Sequence, residues 1–317
     1  MSQTLSPAQT AAALPYGRLA SEIQAMLHDP DVHVQPRIVQ PLHGGGSLFV
    51  MPAADKSLAI TKIISFIPDN HLRGLPAIQG DIVLVDALSG QRLMLIDGPT
   101  VTARRTAAVS LLAAQTLAPC PQGPLLIVGA GVQGRSHLEA FHQVLGVQQV
   151  WIASRSESSA RALVAYAQEL GMQAQLARDP DQALAHCTLV VTTTSAQDVV
   201  MHQNPRSDAF VSAVGAFTPK MVEWSAEVCQ HLARVGSLVV DTRDADHEAG
   251  DLLQAGIDVT TLPTLADVLR RRAADELTPG ALDFKRQGPV FFKSCGWAGW
   301  DLAAARCLVP ETLRQGR

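Results

Sequence analysis

No long run of basic residues occurs in this 317-residue chain, whose 25 lysines and arginines against 29 acidic residues leave a formal net charge of −4. That balance excludes the electrostatic footprint of a nucleic-acid binder or of a protein held on an anionic membrane surface. No apolar run reaches the ~18 residues that a membrane-spanning helix needs. The opening Met-Ser-Gln-Thr-Leu-Ser-Pro has no basic stretch leading into an apolar one, so a secretory leader is not expected. The cysteines are odd in number and scattered (Cys120, Cys187, Cys229, Cys295 and Cys307), with no C-x-x-C pair. They point to reduced thiols rather than to a disulfide framework or a zinc site. Internal repeats and low-complexity tracts are absent as well. What remains is a globular protein, expected in the cytoplasm, with length for one large or two medium domains.

The patterning that is present changes along the chain. Residues 1 to about 30 are rich in Ala and Leu at helical spacing (Leu14, Leu19, Ile23, Met26), which stops at Asp29-Pro30. Short β-like runs follow at 32–34, 37–39, 47–51, 57–64, 81–86 and 92–96, divided by turn clusters such as His43-Gly44-Gly45-Gly46 and Ser89-Gly90. These predict a largely antiparallel sheet. A helix over 100–117 carries many small residues and brings Arg104 and Arg105 to a cleft in its first turn. From Gly123 onward, strand and helix alternate. Strands are expected at 125–128, 149–153, 173–176, 189–193, 209–213 and 237–241, and helices at 132–145, 158–169 and 179–186. A strand over 289–294 and a helix over 298–308 are expected to return the chain to the first domain. The fold class is therefore α/β: a doubly wound Rossmann-type domain over 120–289, plus a mixed α+β domain built from 1–119 and 290–317.

The chain is organised around Pro124 to His137. An apolar run, Leu125-Leu126-Ile127-Val128, leads into Gly129, Gly131 and Gly134 in the spacing G-x-G-x-x-G, and an amphipathic helix opens at once. Gly129 allows a tight turn off the strand, Gly131 leaves room for a pyrophosphate, and Gly134 lets helix and strand pack closely. With Val132 and Gln133 between them, these residues present helix N-terminal N–H groups to phosphates. A dinucleotide site is expected. An NAD-preferring site carries Asp or Glu about 20 residues beyond the glycines to bond the ribose. Here the second strand ends Ser154-Arg155-Ser156. Two hydroxyls and a guanidinium suit a 2′-phosphate, so NADPH is expected, with NADH as the alternative. Thr193, Ser195 and Gly215, at the ends of the fourth and fifth strands, are expected on the nicotinamide side.

The first domain contributes cations with apolar neighbours: Arg37 in Gln35-Pro36-Arg37, Lys62 in Ile60-Thr61-Lys62, and Arg105 in Thr102-Ala103-Arg104-Arg105. A cation at an inward position needs an anionic partner. The nearby sequence offers few carboxylates, and a small carboxylate substrate would supply one.

In the order of Lys62, Gly74-Leu75-Pro76, Arg105-Thr106-Ala107-Ala108 and the glycine loop, the chain resembles the ornithine cyclodeaminase/mu-crystallin family, from about Arg37 to Leu308. The resemblance implies a homodimer, a nucleotide domain inserted into a substrate-binding and dimerisation domain, and a substrate carboxylate held by Arg37, Lys62 and Arg105. Cyclodeaminases of the family carry a catalytic Asp in a Gly-Gly-Asp stretch. The matching stretch here is Ala213-Val214-Gly215-Ala216-Phe217-Thr218-Pro219, so Phe217 stands where that Asp would be. Phe217 cannot pair with an ornithine ammonium, and an apolar wall suits a compact ring. The resemblance is then strongest to the oxidoreductases that reduce Δ1-pyrroline-2-carboxylate and Δ1-piperideine-2-carboxylate to L-proline and L-pipecolate, the former in trans-3-hydroxy-L-proline breakdown. Ornithine cyclodeamination, alanine dehydrogenation and non-catalytic ligand binding of the mu-crystallin kind are the alternatives. On this reading Arg105 and Lys62 are the catalytic residues. Arg105 holds the carboxylate, and Lys62 either protonates the imine nitrogen or serves as a plain carboxylate ligand.

The remaining features have plainer readings. His137 and His142 are ordinary helix residues. Asp244, Asp246, His247, Glu248 and Asp251 form a solvated acidic face rather than a metal site. Trp297 and Trp300 pack at a domain or subunit contact. Lys293 and Ser294 are cofactor contacts by resemblance alone.

Overall fold

Every second side chain along Leu58–Phe66 is buried, namely Leu58, Ile60, Lys62 and Ile64, which is the alternation of a strand with one face on a core. In the computed structural model, which describes residues 3–43, 45–195, 198–275 and 289–311, this strand is the centre of a seven-stranded sheet. Its members are β1 (Gln3–Leu5), β2 (His33–Val34), β3 (Ile38–Pro41), β4 (Ser47–Ala54), β5 (Leu58–Phe66), β6 (Ile78–Asp86) and β7 (Arg92–Asp97). All pairings are antiparallel except β1 on β7. The glycine run at 43–46 falls partly outside the described residues.

The N-terminus differs from the helix expected over 1–30, and Ser6-Pro7 explains why. Ser6 Oγ accepts from Gln9 N at 3.4 Å and Gln9 Oε1 accepts from Ser6 N at 2.9 Å, a reciprocal cap that starts helix α1 (Pro7–Ala13) with proline in its first turn. The residues before the cap are extended and pair with the edge of β7. Leu14-Pro15 then separates α1 from α2 (Tyr16–Met26), which buries Leu19, Ile23 and Met26.

Helix α3 (Gly98–Leu117) follows. Two compact units divide the chain within it: Met1–Ala108 with Trp297–Arg317, and Val109–Gly296. In the second unit, β8 (Leu125–Val128), α4 (Val132–Ala140), β9 (Gln149–Ala153), α5 (Glu157–Glu169), β10 (Gln173–Leu176), α6 (Pro180–Ala183), β11 (Leu189–Thr192), β12 (Phe210–Ala213), α7 (Ala226–Val235), β13 (Ser237–Val240), α8 (Gly250–Gln254), α9 (Leu265–Asp275) and β14 (Val290–Lys293) form an α/β fold. Its sheet is parallel throughout, in the order β10-β9-β8-β11-β12-β14-β13. The strand order reverses at β8, and ligands of such sheets bind beyond the carboxyl ends of the strands at that point.

β14 lies inside this second sheet, between β12 and β13, so 290–293 does not return to the first unit as its sequence position suggested. Its four residues, Val-Phe-Phe-Lys, are all buried, as an interior parallel strand covered on both faces requires. The first unit is completed by α10 (Ala298–Leu308), whose residues 298–307 are all buried. Among the described residues, no helix is long and apolar enough to cross a membrane.

Candidate active site

Lys62 occupies an inward position of β5, between Met51 of β4 and Ile82 of β6, and its side chain is fully buried. Its Nζ donates to both carboxylate oxygens of Asp301 on α10, at 3.1 and 3.2 Å. Arg105, buried on α3, donates from Nε to Asp301 Oδ1 at 3.2 Å. Two cations thus share one fully buried carboxylate. Burial drives the Lys62 ammonium down from its ordinary range, the Asp301 charge opposes that, and the Arg105 and Arg37 charges add to it, leaving a pKa of about 8. Arg37, between β2 and β3, therefore acts on the same ammonium.

This arrangement corrects one inference from sequence. The inward cations have a carboxylate partner in the protein itself, supplied from far along the chain. The only hint of it was a single acid among apolar neighbours, Trp300-Asp301-Leu302-Ala303-Ala304. Arg104 and Arg105 also part company. They lie in the second turn of α3, and Arg104 stacks 3.8 Å over the Tyr16 ring and donates to the Leu14 carbonyl at 2.7 Å, tying α3 to the α1–α2 junction.

In the second unit, Gly129 leaves β8 with a φ of +112°, a conformation that suits glycine. Its N–H donates to Ala153 O at 2.8 Å, which joins the loop to the end of β9, where Ser154, Arg155 and Ser156 follow. A Cβ at Gly134 would lie 1.9 Å from the Gly129 carbonyl oxygen, so helix and loop meet backbone to backbone. At Gly131 a Cβ would meet nothing within 4 Å, and no side chain caps α4. The space beside Gly131 is open and this N-cap glycine brings no side chain over the start of α4, so the loop fits a dinucleotide phosphate. Val132 and Gln133 complete this turn, Val132 being exposed. Ser154 is half-buried and Arg155 exposed. Ser156 caps α5, accepting from Ser159 N at 3.3 Å, which engages the hydroxyl within the protein.

Thr193 Oγ1 donates to the Gly129 carbonyl at 3.1 Å, fastening the end of β11 to the glycine loop. Ser195 is exposed farther along the same segment. Gly215 and half-buried Phe217 lie beyond β12. Both strand ends converge on Glu223, which sequence reasoning passed over. This fully buried carboxylate accepts from Thr192 Oγ1 (2.9 Å), Thr194 N (2.6 Å), Thr194 Oγ1 (2.9 Å) and Gly215 N (2.8 Å). Burial raises its pKa, and the neighbouring Lys293 charge and these hydrogen bonds pull the other way.

Beneath Glu223 lies a second pair absent from the sequence reading. Asp251, expected on a solvated acidic face, is buried, accepts from the backbone N–H groups of Glu223 and Trp224 at 2.6 and 3.0 Å, and pairs with buried Lys293 at 2.6 Å. Burial alone would lower the Lys293 ammonium, but the Asp251 charge and hydrogen bond, joined by the Cys295 and Glu223 charges, bring the net shift upward. Lys293 is thus committed to Asp251. Replacing it by methionine strands a buried carboxylate, and chemical denaturation followed by tryptophan fluorescence is expected to show a loss of about 3–5 kcal/mol.

Ser294 Oγ and the N–H groups of Cys295 and Gly296 all donate to buried Asp241, at 3.0, 2.9 and 2.9 Å, which fixes the turn after β14. His137 is buried and held neutral, with burial pushing its pKa down to about 4. Its Nδ1 lies 2.8 Å from Gln133 O and its Nε2 2.9 Å from Ser110 Oγ, as befits a core histidine. Trp297 and Trp300 make an edge-to-face pair at 5.1 Å within the first unit. Among the described residues, no group of three or more His, Cys, Asp or Glu side chains is arranged to hold a metal ion.

Residues 16–316 match the model of the ornithine cyclodeaminase/mu-crystallin family. A Δ1-pyrroline-2-carboxylate reductase of Burkholderia ambifaria is 36% identical over 303 residues, covering 94% of this chain and 92% of that protein. A Δ1-pyrroline-2-carboxylate/Δ1-piperideine-2-carboxylate reductase of Azospirillum brasilense is 36% identical over 307 residues, with coverage of 94% and 92%. Among solved structures, the Δ1-pyrroline-2-carboxylate reductase of Thermococcus litoralis, in complex with NADH and L-proline, superposes with a TM-score of 0.81 at 22% identity, over 98% of this chain and 95% of that one.

Proposed function

The chain belongs to the ornithine cyclodeaminase/mu-crystallin family, and from that premise we propose that it reduces Δ1-pyrroline-2-carboxylate and Δ1-piperideine-2-carboxylate to L-proline and L-pipecolate with NADPH. One observation carries this reading: two buried cations, Lys62 and Arg105, share a single carboxylate, which leaves a positive charge that a small anionic substrate neutralises. The relatives named for these substrates support the substrate class.

Arg105 uses Nε on Asp301, so the outer edge of its guanidinium is the face for the substrate carboxylate, with Arg37 as a second cation. Fixing a planar ring by its carboxylate replaces an orientational search with a reactive arrangement. A bound nicotinamide nucleotide supplies the hydride that reaches the imine carbon. The imine nitrogen needs a proton, and Lys62, with a pKa of about 8, has one to give near neutral pH. Gly129, Gly131, Val132, Gln133 and Gly134 hold the pyrophosphate. Thr193, Ser195 and Gly215 border the nicotinamide, with Glu223 accepting from Gly215 N and from the neighbouring Thr192 and Thr194, and Phe217 gives the ring an apolar wall.

The absence of a carboxylate at Ser154-Arg155-Ser156 supports NADPH over NADH. Arg155→Ala is expected to lower kcat/KM for NADPH about tenfold, the scale of one charged hydrogen bond, with NADH little affected. Steady-state rates with both cofactors check this, and a wild-type enzyme more efficient with NADH contradicts it. The reading includes a cytoplasmic enzyme and a homodimer. Ile38 and Ile63, in register through Val50, are 60% and 43% exposed on the face of the sheet opposite Lys62, and a second copy would cover them. Sedimentation velocity gives the oligomeric state.

The function is tested by following NADPH oxidation with the two cyclic imino acids, pyruvate plus ammonia or methylamine, and ornithine, in parallel. Turnover is expected with the cyclic substrates. Ammonia release from ornithine without net NADPH consumption points instead to a cyclodeaminase.

A further inference from the structure

We infer that Asp301 is the positioning residue of this site: its carboxylate keeps Lys62 an ammonium, ready to donate a proton, and locks the Arg105 guanidinium beside it. The inference rests on the proposed reduction for its chemistry and on the buried Lys62–Asp301–Arg105 geometry for its electrostatics. Asp301 is fully buried in the first turn of α10, where a helix terminus favours negative charge. It meets both Lys62 and Arg105 through Oδ1, and Lys62 again through Oδ2. Either cation that turned away would leave that buried charge with a single partner.

The charged groups acting on Lys62 are known from each element around it. Asp301 comes from α10, Arg105 from α3 and Arg37 from the segment before β3, while the flanking strands offer apolar Met51 and Ile82. Burial and both arginines favour the neutral amine, and Asp301, by its charge and its hydrogen bonds, favours the ammonium. In the reduction, hydride adds to the imine carbon, the C=N π pair moves to nitrogen, and the Lys62 proton is captured there. The neutral amine left behind regains its proton from solvent. Without Asp301 the amine would already be neutral at working pH and the step would lack its donor.

Asp301→Asn keeps the shape and removes the charge. The alkaline limb of the kcat/KM–pH profile, expected near 8 in the wild type, is predicted to move down by at least about one unit, the usual effect of losing an opposite charge at this range. Activity then survives at pH 6 and falls about tenfold or more by pH 8, a dependence that a merely structural loss would not produce. The Lys62 Nζ resonance of 15N-lysine-labelled protein, assigned with Lys62→Arg, should titrate to match. This second readout needs no substrate, so an enzyme inactive on imino acids would overturn the proposed reaction and leave Asp301 still tested. A limb and a resonance both unmoved in folded Asp301→Asn overturn the inference. Should that variant not fold, two others decide. Asp301→Glu retains the charge and should leave the limb in place, whereas Arg105→Gln removes an opposing cation and should move both readouts up. No movement in Arg105→Gln, or a downward shift in Asp301→Glu, overturns it equally.

Discussion

Arg105→Ala is expected to lower kcat/KM for Δ1-pyrroline-2-carboxylate by about two to three orders of magnitude, the equivalent of losing one member of a buried charged pair at about 2–5 kcal/mol. Two losses combine in that number. The proposed substrate carboxylate loses its guanidinium edge, and Asp301 loses one of the two cations that neutralise it. The substitution also removes a like charge from beside Lys62, so the remaining activity should extend to higher pH than in the wild type. Steady-state kinetics between pH 6 and 9, with circular dichroism to confirm folding, separates these effects. A folded Arg105→Ala enzyme of near-normal kcat/KM removes the carboxylate assignment.

Gly134→Ala should damage both the packing of the second unit and its glycine loop. Its Cβ would stand 1.9 Å from the Gly129 carbonyl oxygen and 3.2 Å from Ile127 Cγ2. The nearer neighbour is backbone, so relief requires α4 to lift from β8 or the glycine loop to move. Either response disturbs the bond from Thr193 Oγ1 to Gly129 O and the N–H groups proposed for the pyrophosphate. Overpacking of this kind costs about 1–3 kcal/mol, and NADPH affinity is expected to fall about tenfold or more with it. Gly131→Ala is the control that separates the two effects. Among the described residues, nothing beyond its chain neighbours lies within 4 Å of its Cβ, so stability should hold while NADPH binding weakens. Thermal melts and NADPH fluorescence titrations of both variants are the measurements. A stable Gly134→Ala protein with wild-type affinity contradicts the packing argument, and unchanged affinity in Gly131→Ala contradicts the phosphate cradle.

What could be read from the sequence was what neighbouring residues decide among themselves. The turn at Gly129 and the close approach at Gly134 are properties of a dozen consecutive residues, and the parallel sheet follows from its buried apolar runs. Lys62 and Arg105 stood out as cations in apolar surroundings. Their partner did not, because Asp301 reaches Lys62 across 239 residues of sequence and Arg105 across 196. Glu223 and Asp251 were hidden for the same reason. Each is an ordinary acid by its local sequence and becomes a core carboxylate only when β11, β12 and β14 assemble around it. Asp251 was even misread by its company, since Asp244, Asp246, His247 and Glu248 suggest a solvated face. The edge strand β1 escaped notice because three residues ahead of a capped helix gain their conformation from β7 rather than from themselves.

In the proposed reaction, hydride and proton are added to a cyclic imino acid held by its carboxylate. Purified enzyme, NADPH and Δ1-pyrroline-2-carboxylate, followed by absorbance and by chiral chromatography of the product, test it most directly. One L-proline is expected for each NADPH oxidised, with no ammonia released. NADPH consumption without L-proline, or no turnover with this substrate or its six-membered homologue, would contradict it.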